Sequence, residues 1–88
     1  MTNEQIAETL DEMIESMPIT DRKNMGAVNW GDIGVRSISE VKEVWPIHEE
    51  PVLEVLVEEA DPSCGLGNYL SERLFAEYGV MVFVRTEW

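Results

Sequence analysis

The chain has 88 residues, enough for one small domain, and 44% of them are apolar, which allows a modest hydrophobic core. Eighteen Asp and Glu oppose six Lys and Arg, giving a formal net charge of −12. Such a charge repels nucleic acid and anionic membranes, and it favours basic partners, cations or saline surroundings. The one cysteine excludes an intramolecular disulfide, and the apolar runs are too short to span a bilayer. We expect a single cytoplasmic domain over residues 1–88.

The N-terminal segment, residues 2–18, has the apolar spacing of an amphipathic helix. Thr2 and Gln5 form a capping-box pattern, and Pro18 ends the segment. Its apolar stripe consists of Ile6, Leu10, Met13, Ile14 and Met17. Residues 18–32 contain Pro, Asp, Asn and Gly, so we expect a loop there.

Residues 33–45 are compatible with two structures. The spacing of Ile38, Val41 and Val44 indicates a short helix, whereas the β-branched content indicates a strand. We expect a strand with a bulge near Ser37, where the alternation of side chains slips.

The remaining segments predict a strand, a helix and a strand. Residues 46–51, "PIHEEP", are typical of a turn, and residues 52–60 alternate like a strand. A helix is predicted over 66–78, with Gly79 as its C-cap, and a strand over 80–88. The apolar residues of this helix are Leu66, Leu70, Leu74, Phe75 and Tyr78.

This order, α-β-β-α-β, predicts an α+β two-layer sandwich with two helices on one face of a three-stranded mixed sheet. The first two strands form a hairpin, and the last two run parallel because a helix joins them in a right-handed crossover. The predicted core consists of Ile6, Leu10, Met13, Leu53, Val55, Val57, Leu70, Leu74, Val82 and Val84.

Short motifs accompany this order of elements. They are Asp32-Ile33-Gly34, Pro62 with Cys64, Gly79-Val80 and Trp88. With them the chain resembles the PaaD/SufT-like family of small iron–sulfur cluster assembly proteins. The acidic Asp-Pro-Glu element of that family is replaced by residues 18–21, "PITD", and its Cys-Pro order by residues 62–65, "PSCG". The resemblance implies a similar fold and an accessory role in cluster assembly that uses Cys64.

Cys64 has two interpretations. A thiol in the first turn of a helix lies near unpaired N–H groups, which makes it a candidate nucleophile or metal ligand. The acidic neighbours Glu58, Glu59 and Asp61 oppose that role, and a small half-buried residue in a turn is the other interpretation. A single cysteine cannot hold zinc or a cluster, so a metal role requires a site shared with a partner or a second copy.

The sequence contains no recognisable catalytic constellation, and we expect neither an enzyme nor a resident cofactor. There is no P-loop or HExxH motif. His48, the one histidine, falls in the predicted turn, where we expect it to be exposed. Residues 65–67, "GLG", allow either anion binding or close packing of the turn against the helix, and we expect close packing.

Acidic residues are concentrated between Glu40 and Asp61, with Lys42 as the basic residue among them. Alternation puts Glu54 and Glu58 on one face of the predicted strand, and that face is open if the helices cover the other. The predicted partner-binding residues are Glu43, Glu49, Glu50, Val52, Glu54, Leu56 and Glu58, with Trp45 and Trp88 as candidates for added contact area. A solvated face without a partner is the alternative.

Together these features predict a small acidic, non-catalytic protein-binding module that docks a basic partner surface. One version is a nucleic-acid mimic or inhibitor that occupies the partner's nucleic-acid groove. The alternative is an accessory factor in iron–sulfur cluster assembly that uses Cys64. We expect no direct binding to nucleic acid or membrane, and a monomer or weak homodimer.

Overall fold

The computed structural model describes residues 1–41 and 52–88, which form three helices and a three-stranded sheet. The helices are α1 (Asn3–Glu15), α2 (Ile19–Met25) and α3 (Leu66–Tyr78). The strands are β1 (Gly34–Val41), β2 (Val52–Glu58) and β3 (Val82–Glu87). The predicted α+β class is confirmed.

The sheet is mixed, with β2 in the centre of the order β1-β2-β3. β1 runs antiparallel to β2, and β3 runs parallel to it, as the crossover through α3 requires. The register shifts between Val35 and Ser37, which confirms the predicted bulge. The predicted turn at residues 46–51 and the end of the predicted first strand lie outside the described residues.

The core lies between the sheet and the pair α1 and α3, which confirms that these two helices pack on one face. Along β3, buried and exposed residues alternate, as expected for a strand with one face against the core. The buried apolar residues are Ile6, Leu10, Met13, Ile14, Met17, Val55, Val57, Ala60, Leu66, Leu70, Leu74, Val82 and Val84. Leu53, which was also predicted for the core, is half-buried against it.

The helix caps follow the sequence pattern. Gln5 N donates to Thr2 Oγ1 at 3.2 Å, and Thr2 N donates to Gln5 Oε1 at 2.8 Å, which completes the capping box. At the end of α3, Gly79 has φ 68°, and its N–H donates to Phe75 O at 2.8 Å. A left-handed residue at this position favours glycine, which has no Cβ to clash.

The prediction of a loop over residues 18–32 was wrong for α2. Pro18 occupies the N-cap position of this helix, where its missing N–H costs little, and Gly26 ends the helix with φ 73°. Arg22 anchors α2 because its Nη2 donates to Ile14 O at 3.1 Å and to Glu15 O at 2.8 Å at the C-terminal end of α1. Residues typical of turns therefore delimit a short helix here.

Phe75 and Tyr78 do not continue the buried stripe of α3, because their exposed fractions are 54% and 52%. Each step of four residues along an α-helix rotates the side chain by about 40°. Leu66, Leu70 and Leu74 remain within the arc that faces the sheet. By Tyr78 the accumulated rotation is about 120°, which turns that side chain toward solvent.

Candidate functional site

The outer face of the sheet is the face opposite α1 and α3. The alternation of side chains and the strand register assign to it Ser37, Ser39, Glu54, Leu56, Glu58, Phe83, Arg85 and Glu87. Leu56 lies opposite Ser37 on β1 and Arg85 on β3, and it is half-buried. The outer face therefore combines apolar surface with charged side chains.

Two arginines neutralise the predicted acidic residues of this face. Arg85 Nε lies 3.7 Å from Glu54 Oε1, and Arg36 Nη2 lies 3.0 Å from Glu58 Oε2. The glutamate side chains are 18% and 32% exposed, and the arginine side chains are more open, at 51% and 69%. Ion pairs this close to solvent contribute about 0–1 kcal/mol each, so they hold the carboxylates only weakly.

The structure brings together Glu54, Leu56 and Glu58 of the predicted partner-binding set. Val52 begins β2. Trp88 follows β3 and is 65% exposed. Three further members of the set, Glu43, Glu49 and Glu50, lie outside the described residues, as do Trp45 and His48.

A second acidic surface lies on α1. Glu4, Glu8, Glu12 and Glu15 are exposed there, and the helix contains no Lys or Arg. Asp11, on the same helix, has a structural role because its Oδ1 accepts a hydrogen bond from Val35 N at 3.1 Å, beside the bulge of β1. The chain's negative charge is therefore not confined to the outer face.

The turn before α3 is organised by Asp61. Its Oδ1 accepts hydrogen bonds from Ser63 N at 2.8 Å and from Ser63 Oγ at 2.7 Å. These bonds lower the pKa of Asp61, because both favour the ionised carboxylate. The main-chain oxygen of Asp61 also accepts from Cys64 N at 3.0 Å, which closes the turn.

The prediction that Cys64 lies within the first turn of this helix was wrong, because Cys64 precedes α3. Gly65 is the N-cap with φ 83°, and the helix begins at Leu66. This left-handed residue separates Cys64 from the helix, and the thiol residue is half-buried against the core. Within residues 1–41 and 52–88, no group of three or more His, Cys, Asp or Glu side chains is placed to hold a metal ion.

The prediction of close packing at residues 65–67 is supported at Gly67. A Cβ added there would lie 2.5 Å from the carbonyl oxygen of Val84. Only glycine allows the helix backbone to approach β3 so closely.

In the part of the chain that the structure describes, no helix is long and apolar enough to cross a membrane. A scan of protein-family models, a search of curated proteins and a search of solved structures each found no match to this chain.

Proposed function

We propose that this chain is a small non-catalytic protein-binding module that docks a basic surface of a partner on the outer face of its sheet. The observation that carries the proposal is the position of Leu56 between Glu54 and Glu58 on a face that α1 and α3 leave uncovered. A partly exposed apolar residue provides contact area, and flanking carboxylates select a basic partner.

The net charge of −12 accelerates the encounter with a basic partner, since long-range attraction raises association rates. Close contact then requires Glu54 and Glu58 to exchange Arg85 and Arg36 for cations of the partner. The exchange costs little because surface ion pairs contribute at most about 1 kcal/mol. Charge thus acts mainly on the association rate and on specificity.

A narrower form of this proposal is nucleic-acid mimicry, in which the partner's basic surface is its own nucleic-acid groove. The chain would then compete with DNA or RNA for that partner. Competition at equilibrium distinguishes this form from docking elsewhere on the partner, where a ternary complex forms.

The partner can be trapped through the proposed face. A photo-crosslinking residue at Leu56 should capture it, whereas the same residue at Glu8 on α1 should not. Association rates with the purified partner are then measured against ionic strength for the wild type and for the double variant Glu54→Gln with Glu58→Gln. The matched control is Glu8→Gln with Glu12→Gln, which changes the net charge equally on α1.

We expect the outer-face variant to associate more slowly than the α1 variant and to show a shallower dependence on salt. Equal reductions in the two variants would contradict the assignment to this face. Association that is independent of salt in the wild type would contradict charge-based docking altogether.

The accessory role in iron–sulfur cluster assembly stays a prediction that depends on Cys64. It requires a site shared with another chain, because one thiol provides one ligand.

A further inference from the structure

A groove lies between β3 and α3, along the edge of β3 with which no other described strand pairs. Its volume is about 320 Å³, at the lower end of the range for ligand sites, and it suits one or two side chains. The lining residues are Asn68, Ser71, Glu72, Phe75, Met81, Val82 and Phe83. We call it the α3–β3 groove.

The apolar walls of the α3–β3 groove are unusually exposed for such large side chains. Phe75 is 54% exposed, Met81 51% and Phe83 37%. Phe83 lies on the outer face of the sheet, whereas Phe75 belongs to the helix that covers the inner face. The groove thus encloses the strand edge from both sides, and it adjoins the outer face.

The backbone of β3 presents polar groups to this groove. Ala60 N donates to Glu87 O at 2.9 Å, so the peptide groups of Glu87 point toward β2. Because orientation alternates along a strand, those of Val84 and Val82 point toward the open edge. The position of Gly67 beside the Val84 carbonyl agrees with this alternation and closes the edge at that point.

Val82 is therefore the edge residue that lies within the α3–β3 groove. Among the described residues, β3 pairs with β2 alone. The other edge of β3 can therefore form main-chain hydrogen bonds with an added extended segment. Strand addition at an open edge takes its affinity from main-chain hydrogen bonds and its specificity from side-chain pockets.

Charge indicates the class of occupant. Glu72 lines the groove, and no Lys or Arg is among the described lining residues. A second copy of the chain would carry the same net charge of −12 and would be repelled, whereas a basic segment would be attracted. The occupant that fits is a basic extended segment.

We propose that the α3–β3 groove binds an extended, basic segment of the partner. The segment inserts one apolar side chain between Phe75, Met81 and Phe83, and its backbone pairs with Val82. This inference rests on the proposed function and adds to it the anchor point and the chemistry of the bound segment.

The test uses the full chain, labelled with ¹⁵N, and three synthetic nine-residue peptides. The first alternates lysine and threonine around a central leucine. The second replaces that leucine by serine, and the third replaces every lysine by glutamate. The variants Phe75→Ser and Met81→Ser are compared with Tyr78→Ser, which removes a side chain of similar exposure outside the groove lining.

We expect the lysine–leucine peptide to shift the amide signals of Val82 and of the groove side of α3. It should bind about ten-fold more tightly than its serine counterpart, the usual effect of losing one buried anchor. Phe75→Ser and Met81→Ser should each abolish this difference, while Tyr78→Ser retains it. All three residues are exposed, and an unchanged ¹⁵N spectrum elsewhere confirms folding.

Equal affinity of the leucine and serine peptides for the wild type would overturn the groove proposal, while a preference for lysine over glutamate would leave the proposed function standing. Equal binding of the lysine and glutamate peptides would overturn the basic character of the partner in both proposals. If the preference for leucine survives both Phe75→Ser and Met81→Ser, the peptide binds elsewhere. That result would overturn the groove proposal and leave the proposed function standing.

Discussion

The first turn of α3 touches β3 at Gly67, where a Cβ would lie 2.5 Å from the carbonyl oxygen of Val84 and 3.5 Å from its carbonyl carbon. The obstacle is the backbone of β3, so no rotation of a side chain can relieve it. The distance between α3 and the sheet therefore depends on this glycine.

Overpacking at this position costs about 1–3 kcal/mol. Alanine regains roughly 1 kcal/mol over glycine in helix propensity, so Gly67→Ala is predicted to lower the free energy of unfolding by up to about 2 kcal/mol. Chemical denaturation measures it, with Gly31→Ala as the control, because a Cβ at Gly31 meets only Asn29 Oδ1 at 3.8 Å. A Gly67→Ala variant more stable than the wild type would mean that α3 does not pack this closely.

The fold was largely predictable because its elements carry strong periodicity. The stripe from Ile6 to Met17 and the alternation around Val55 each indicate one structure and one buried face. The bulge near Ser37 was visible as a slip in that alternation. α2 was missed because a helix of this length has no stripe, and its stabilising contact from Arg22 to α1 is tertiary.

The charge of the outer face was less predictable. Glu54 and Glu58 are close in sequence to other acids, whereas Arg36 and Arg85 lie in β1 and β3. Strand pairing brings each arginine next to its glutamate. The order of acidic residues along the chain does not reveal which strands are neighbours. The α3–β3 groove was missed for a related reason, since Phe75 was grouped with the apolar residues of its helix, and its position beside Met81 and Phe83 arises from tertiary packing.

Arg22 is predicted to be the most important basic residue for stability among those described. Its guanidinium donates to two terminal carbonyls of α1 and lies 5.1 Å from the centre of the Trp30 ring. Arg22→Ala should cost about 1–3 kcal/mol, because two hydrogen bonds from a charged donor and a cation–π contact are lost. Lys23→Ala removes an exposed charge from the same helix and should change stability by less than about 0.5 kcal/mol. Similar thermal unfolding of both variants would contradict an anchoring role.

Asp61 is predicted to make stability depend on pH in the acid range. The Ser63 N–H and hydroxyl hold its folded pKa below the ordinary value of 3.8. The stabilisation is therefore fully present above that value and is lost as the pH falls through the lower folded pKa. Asp61→Asn should be less stable than the wild type near neutral pH, and the difference should shrink in acid.

Urea unfolding at neutral pH and in acid measures this convergence, with Glu8→Gln as a control of equal charge change on α1. Ser63→Ala should raise the pKa of Asp61 toward its ordinary value, which NMR titration of the carboxyl group detects. A difference between wild type and Asp61→Asn that stays constant with pH would contradict the assignment.

Cys64→Ser is predicted to change the free energy of unfolding by no more than about 1 kcal/mol, because a half-buried site tolerates a substitution of similar size. The same variant tests the alternative function. The wild type and Cys64→Ser are each purified together with the partner, and the iron and zinc bound to each complex are measured. Metal that is present in the wild type and lost in a folded variant would favour the accessory role over docking by charge.

The strongest test of the outer face is a substitution that adds affinity. Arg85 lies 3.7 Å from Glu54 and 3.9 Å from Glu87, so it occupies carboxylates that a basic partner would use. Arg85→Gln should leave the fold intact, since exposed ion pairs contribute about 1 kcal/mol or less. It should also strengthen binding to the basic partner by up to about five-fold, because the partner's cations no longer compete with an internal one. Lys23→Gln makes the same charge change on α2 and should strengthen binding less. If Arg85→Gln instead weakens the complex, the arginine itself contacts the partner, and the outer face does not select basic surfaces.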